Sequence, residues 1–487
     1  MVSTTAVPPP RRVQALDALR GIAILMMVLS GVVPATYPAW MHHAQCPPPT
    51  LKFNAGIPGI TWVDLVFPFF VFSMGAAIPL ALGRRMDKGE PWWKLGWGVI
   101  QRFLLLGLFA IYIEHIRPFG IGAPEVWQTW ARALIAFAAL LAILVRPPKG
   151  WSRPICVALR IAGWTVAAWL MYTVRRGDGT GFDPHNSDII IMILANVVLG
   201  VSLVWGLSRA NPLMRVGFMA VLMAVRLASG APGFVQTIWA WSPEQFLYMH
   251  HLFFTQGPWL FHQGYTSMLM VAIPGTLIGD LFVTWMRAPQ GPAGVTEWSR
   301  GRWWAIAGVS FALVPVLLGG LFTRHVVEVA SVAAVICVAV RYLVARPALP
   351  AERLIHDVAA WGAFWLILGL LFEPYEGGIK KDPATMSYYF VSAGLACFTL
   401  IAFSIVMDVI GKPGALRLLA DNGQNPMIAY AGLSNLVQPL LFIVGLKPLI
   451  DRGCETTNGM FLLGVMEVVM VALTVSGFTR AKIFLRT

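Results

Sequence analysis

Apolar runs long enough to cross a bilayer recur along the whole chain, separated by short polar segments. A helix rising ~1.5 Å per residue needs about 20 such residues to pass ~30 Å of hydrocarbon, and it satisfies its own backbone hydrogen bonds on the way. The pattern predicts about fourteen spans, near 15–36, 60–83, 93–115, 125–146, 154–173, 188–207, 212–230, 266–286, 302–322, 326–345, 355–374, 386–410, 425–446 and 458–478. The expected fold class is all-α: a polytopic integral membrane protein whose residues 1–487 form a single transmembrane domain.

The polar segments alternate in kind. Basic residues return in every second loop, at Arg84, Arg85 and Lys88, then Arg146, Lys149 and Arg153, Arg209, Arg287 and Arg300, Arg346 and Arg353, Lys412 and Arg417, and Arg480 and Lys482. The positive-inside rule then puts both termini in the cytoplasm, with residues 1–14 as a tail and the larger loops 37–59 and 231–265 outside. Eight of the nine histidines fall on that outer side, among Trp239, Trp241, Tyr248, Trp259 and Tyr265. Neutral imidazoles, indoles and phenols together suit a polar ring such as a sugar.

Composition agrees: 57% hydrophobic and 12% charged residues, with a mean hydropathy of +0.69, exclude a water-soluble core. The net charge of +13 is spread over short loops and so reads as membrane orientation, not as a nucleic-acid surface. Five cysteines without a CxxC pair predict no metal centre, although Cys46 and Cys454 both fall in outer loops where a bridge could form. Asp17 and Arg20 interrupt the first apolar run and no small-residue cleavage site follows, so this run reads as a retained helix.

A charge inside a span costs about 2.5–3.5 kcal/mol and calls for a partner or a wet cavity. Asp17 and Arg20, three residues apart, can pair on one helix face. Asp64 opens the second span directly after the loop carrying His42 and His43, and a histidine near a carboxylate is a ready general base at neutral pH. Arg102 lies about two turns inside the third span, where a cavity for a phosphorylated ligand would explain it. Arg132 in the fourth span could serve that cavity or neutralise Asp64. Arg160, Arg226, Asp280, Arg341 and Asp408 lie nearer span ends, where snorkelling suffices.

The segment Arg12–Val28 with Leu16-Asp17 and Arg20-Gly21-Ile22-Ala23, then His43-Ala44, Gly59-Ile60-Thr61, Asp64-Leu65-Val66-Phe67-Pro68, Phe72 and Met74-Gly75 resembles the heparan-α-glucosaminide N-acetyltransferase family and its bacterial relatives. Arg102-Phe103-Leu104-Leu105, Arg132, Glu376-Gly377 with Lys381, Ser387-Tyr388, Gly423, Asn425 and Tyr430 continue the resemblance in order. It implies an acetyltransferase of a bacterial inner membrane that takes acetyl-CoA from the cytoplasm and delivers the acetyl group to a sugar outside. His43, followed by Ala44, matches the family's catalytic histidine, acting as base or through an acetylated imidazole.

Asp64 is expected to orient or charge-balance that ring. From location, Arg20, Arg102 and Arg132 are the candidates for the CoA phosphates; His42, beside His43, and Glu376, Lys381 and Asn425, which carry the resemblance, are the candidates for the acceptor. The chain departs from the family by about eleven extra residues, Gln45 to Ala55, so that a gapless alignment back from Asp64 would put Asn54 where the histidine stands. Ser30 or Gly31 falls where the family has an asparagine. A sugar permease without covalent chemistry is the competing reading, and a scaffold for a glycan-processing assembly ranks below it. The expected partners are acetyl-CoA, a carbohydrate and the bilayer, with a homodimer left open.

Overall fold

The computed structural model describes residues 12–118, 126–145, 151–177, 179–242, 259–288, 298–453 and 456–485. Tyr248, His250, His251, Arg146, Lys149 and Cys454 lie outside the described residues. Every predicted span corresponds to helix: α1 (Gln14–Ser30), α2 (Trp62–Asp87), α3 (Trp92–Ile116), α4 (Trp127–Leu144), α5 (Arg153–Thr173), α6 (Ile189–Ser208) and α7 (Pro212–Ala228). They continue with α8 (Leu269–Arg287), α9 (Arg300–Phe322), α10 (Val326–Leu343), α11 (Pro350–Phe372), α12 (Met386–Ser404), the broken span α13 (Pro426–Ile443) and α14 (Thr457–Arg480).

The protein is a multi-pass membrane protein, with twelve helices among the described residues long and apolar enough to cross a bilayer. That is two fewer than expected, because α1 and α7 have only 17 residues each. α1 stops at Ser30 instead of continuing to 36 because Pro34 has no N–H to donate and disfavours helix at Val33. α13 is interrupted by a π turn at Leu433–Val437, where Pro439 cannot donate to the Asn435 carbonyl.

The centre of the bundle is α12, all of whose residues from Met386 to Ser404 are buried. α2 crosses α8 beside it at backbone contact. A Cβ added to Gly75 would sit 2.1 Å from the Ala272 carbonyl oxygen, and one on Gly275 or Gly279 would sit 2.3 Å from the Phe72 or Ala76 oxygen. Gly275 and Gly279 thus form a small-residue seam that lets two backbones meet. α1 approaches the short helix Arg417–Gln424 in the same way, since a Cβ on Gly21 would lie 1.8 Å from the Leu419 oxygen. The face of α10 carrying Val327, Val335, Val338 and Tyr342 is exposed and apolar, as a lipid-facing surface requires.

Snorkelling does not account for Asp280. Its Oδ2 pairs with the fully buried Arg215 at 2.6 Å and its Oδ1 accepts Trp205 Nε1–H at 3.2 Å, which ties α6, α7 and α8 together. Arg226, also expected at an interface, donates to the Ala384 carbonyl at 3.3 Å.

The seam predicts that Gly75→Ala and Gly279→Ala each destabilise by about 1–3 kcal/mol, the scale of overpacking. Gly308→Ala, where an added Cβ meets nothing within 4 Å, should be neutral or stabilise by up to about 1 kcal/mol through helix propensity. Thermal denaturation in detergent checks both, and a Gly279→Ala protein as stable as the parent would refute the close crossing.

Candidate functional site

After α1 the chain makes a short turn at Ala39–Met41 and returns to α2 through His42, His43 and a loop ending at Thr61. The Thr61 hydroxyl donates to the His42 carbonyl at 2.7 Å. The Thr61 backbone N–H, at 2.9 Å, and the Ala44 N–H, at 3.2 Å, both donate to Asp64 Oδ2. Asp64 is the third residue of α2, so this carboxylate oxygen caps the helix start and ties down the His43 loop.

The other oxygen, Asp64 Oδ1, is buried and makes no hydrogen bond among the described residues. It lies 3.4 Å from His43 Nδ1 and 3.8 Å from Lys381 Nζ. His43 Nδ1 in turn accepts the Gln45 N–H at 3.0 Å, an arrangement in which the neutral ring carries its proton on Nε2. Exchanging that bond for Nδ1–H to Asp64 Oδ1 moves the ring proton to Nδ1 and frees the Nε2 lone pair. His43 is a fifth exposed and Asp64 almost wholly buried, so a proton taken up by the imidazole would meet a poorly screened carboxylate. Burial lowers the His43 pKa from its ordinary 6.5, and Lys381 lowers it further against the opposite pull of Asp64 and Asp382. The ring is therefore neutral at physiological pH.

Lys381 is held by its loop. Glu373 accepts from Arg324 and from the Ile379 N–H at 3.2 Å, Gly377 and Gly378 turn with φ of +72° and +93°, and Gly59 N–H donates to the Ile379 carbonyl at 2.7 Å. Tyr388 at the start of α12 donates to the Asp64 backbone carbonyl at 2.7 Å. Glu376 lies in the same loop, but its Oε2 accepts the Met386 N–H. His42 is buried with Nε2 unbonded. Asn54, the alternative to His43, is exposed and closes a turn onto Gly56 N–H at 2.9 Å, whereas His43 is the residue beside Asp64. Cys46 forms no disulfide with another cysteine among the described residues.

Two other expected members lie elsewhere. Both ends of the Asn425 amide bind the C-terminal segment, Nδ2 donating to Ile483 O at 2.6 Å and Oδ1 accepting Leu485 N–H at 3.3 Å. The amide is therefore anchored to the C-terminal segment and not to the His43 loop. Arg132 donates to Thr173 Oγ1 at 3.2 Å beside His115 and makes no ion pair with Asp64. It does not line the cavity that holds Arg20 and Arg102.

That cavity, of about 430 Å³, is lined by Arg12, Arg20, Arg102, Gln424 and Tyr430 among apolar residues of α1, α2, α3 and α6. Arg20 donates to the Ser73 carbonyl at 3.2 Å and the Gly423 carbonyl at 3.3 Å, and lies 3.7 Å from Asp17, which Arg12 also contacts at 2.6 Å. Arg102 has no hydrogen-bond or ion-pair partner among the described residues and is exposed. Three guanidinium groups against the one carboxylate of Asp17 leave an excess of positive charge suited to phosphate. The Tyr430 hydroxyl accepts from Arg117 at 3.1 Å and donates to Asp188, which Arg117 also pairs with.

Sequence reasoning passed over Arg117, Asp188, Arg215 and Gln45. Thr61 was recoverable, since a threonine three residues before an acidic residue is a helix-start signal.

Residues 12–282, a little over half of the chain, match the family model described as Domain of unknown function (DUF5009). The chain is also distantly related to the human (Homo sapiens) heparan-alpha-glucosaminide N-acetyltransferase, with 28% identity over 182 residues. The match takes in 36% of this chain and spans a quarter (25%) of that relative's length.

The shared carboxylate predicts that Asp64→Ala, which leaves the Thr61 and Ala44 N–H groups without an acceptor, destabilises by about 1–3 kcal/mol, while Asp64→Asn keeps most of the stability. His43 titrates lower folded than unfolded. The stability its neutral form contributes is present above pH 6.5 and is lost as the pH falls through the lower folded value. Denaturation profiles between neutral and acid pH should therefore flatten in His43→Gln, and an unchanged acid slope would contradict the assignment.

Proposed function

The chain belongs to the DUF5009 family, and on that footing we propose that it is a transmembrane acetyltransferase that moves an acetyl group from acetyl-CoA to an amino sugar. The observation that carries the proposal is the unbonded, buried oxygen of Asp64 facing His43, at the end of α2 opposite Arg84 and Arg85. The relative's name, an N-acetyltransferase acting on an α-glucosaminide, supplies the reaction class and the amine acceptor.

In this reading His43 takes the proton that the attacking amine loses as its nitrogen bonds to the thioester carbonyl carbon. The C–S bond breaks, and the proton passes on to the CoA sulfur. Asp64 Oδ1 stabilises the imidazolium formed on the way, and burial, aided by Lys381, keeps the resting ring neutral. Arg20 and Arg102, with Arg12 at the cavity mouth, fit the phosphates of the donor. The basic Arg84, Arg85 and Lys88 support a cytoplasmic place for their end of α2 and an outer place for the His43 end. The membrane is proposed to be a bacterial inner membrane.

Purified protein supplied with acetyl-CoA and a panel of amino and neutral sugars should release free CoA only with an acetylatable acceptor. His43→Ala should lower kcat about 10²–10⁴-fold, the usual contribution of a general base. Arg102→Met should raise the KM for acetyl-CoA about tenfold or more with little change in kcat, as loss of a charge-assisted phosphate bond implies. With acceptor saturating, a His43-dependent acid limb of kcat should lie below pH 6.5, in the direction of the lowered His43 pKa, and be absent in His43→Ala. No CoA release with any acceptor, together with passage of an unmodified sugar across vesicles, would replace this proposal with a permease.

A further inference from the structure

The extra residues Gln45 to Ala55 return to the point where they leave. Gln45 O accepts the Asn54 N–H at 2.8 Å, and Gln45 Nε2 reaches the Ala55 carbonyl at 3.4 Å, so the added loop is closed at its base. The residue at that base is fully buried, and its side chain also reaches across to the 373–385 loop. Gln45 Oε1 accepts the Asp382 N–H at 2.8 Å, and Nε2 donates to the Asp382 carbonyl. One side-chain amide thus grips both backbone groups of the residue that follows Lys381.

We propose that Gln45 is a positioning residue: through its paired bonds to Asp382 it holds Lys381 against Asp64 Oδ1, the oxygen His43 also needs, and so sets how readily His43 takes a proton. This rests on the acetyl-transfer reading for its purpose but not for its measurement. Two groups compete for one unbonded oxygen, His43 at 3.4 Å and Lys381 at 3.8 Å. While the ammonium stays there, the carboxylate is neutralised without the imidazole, and the ring keeps its bond to the Gln45 N–H. The same residue therefore holds His43 with its backbone and restrains the competing cation with its side chain.

The titratable and charged groups around His43 are Asp64 on α2, Lys381 and Asp382 in the 373–385 loop, and Cys46 and His42 in its own loop. Asp64 and Asp382 favour the imidazolium and Lys381 opposes it, with Lys381 acting more strongly than Asp382. Freeing the loop by Gln45→Met removes both the lysine and the weaker aspartate, so His43 should titrate higher. Lys381→Met removes the lysine alone and should raise it further. Once Lys381→Met is in place, only the Asp382 influence is left to lose, so adding Gln45→Met should leave the midpoint unchanged or lower it.

The experiment follows carbethoxylation of His43 by diethylpyrocarbonate across pH in the full-length protein in detergent. Peptide mass spectrometry resolves His43 from His42. The reagent attacks the unprotonated ring, so the midpoint reports His43 whether or not acetyl transfer occurs. Lys381→Met should raise it by on the order of one pH unit, the scale on which a neighbouring charge acts, and Gln45→Met by less. Lys381→Arg should bring it back toward the parent value. A Gln45→Met change that raises the midpoint equally in the parent protein and in the Lys381→Met variant would overturn the proposal, because it would mean that the ring had merely become wetter. No shift in Gln45→Met with a full shift in Lys381→Met would overturn it too, since the loop would then hold without the brace. The predicted pattern without any CoA release would keep the brace and discard the acetyltransferase.

Discussion

The Asp64 carboxylate carries two obligations on two oxygens, and the site depends on their separation. Oδ2 is committed to the fold, accepting the Thr61 and Ala44 N–H groups that start α2 and anchor the His43 loop. Oδ1 is left buried without a hydrogen bond between an imidazole and an ammonium. A buried acceptor without a donor costs on the order of 1–3 kcal/mol, so it is a feature that folding alone does not favour. The capping bonds keep that oxygen in place, since rotating it toward a donor would uncap the helix.

α2 also links the two ends of the protein. Its first turn holds Asp64, its middle accepts Arg20 at the Ser73 carbonyl, and its last turn carries Arg84 and Arg85. Phe70 is the first residue of α2 to line the arginine cavity, six residues below Asp64 and therefore about 9 Å along the helix axis. The proposed donor and acceptor compartments thus approach each other on a single rigid helix. Its close crossing with α8, made possible by Gly75, Gly275 and Gly279, leaves that helix little room to shift.

The spans were legible because a bilayer imposes one simple length and one simple polarity on each of them. α1 is shorter than its apolar run, since apolar residues continue to Val33 past the point where Pro34 ends the helix. Asp64, His43, Arg20 and Arg102 could be singled out because a charge or an imidazole is conspicuous against an apolar background. What such a background does not reveal is partnership across the bundle. Arg215 and Asp280 lie 65 positions apart, and Gln45 and Asp382 lie 337 apart, so neither contact has a local signature. Arg132 is conspicuous for the same reason as Arg102, and Asn425 through the resemblance, but the structure turns them to Thr173 and to the C-terminal segment.

The central claim is that two chemically distinct ends of one helix bundle carry out a single transfer across the membrane. The most direct measurement places isotopically labelled acetyl-CoA on the Arg12 side of sealed proteoliposomes of uniform orientation, with an amino sugar only on the His43 side. The account predicts N-acetylated, labelled sugar in the His43 compartment while both compartments stay sealed. Labelled sugar formed only when donor and acceptor share one side, or no labelled sugar at all, would contradict it.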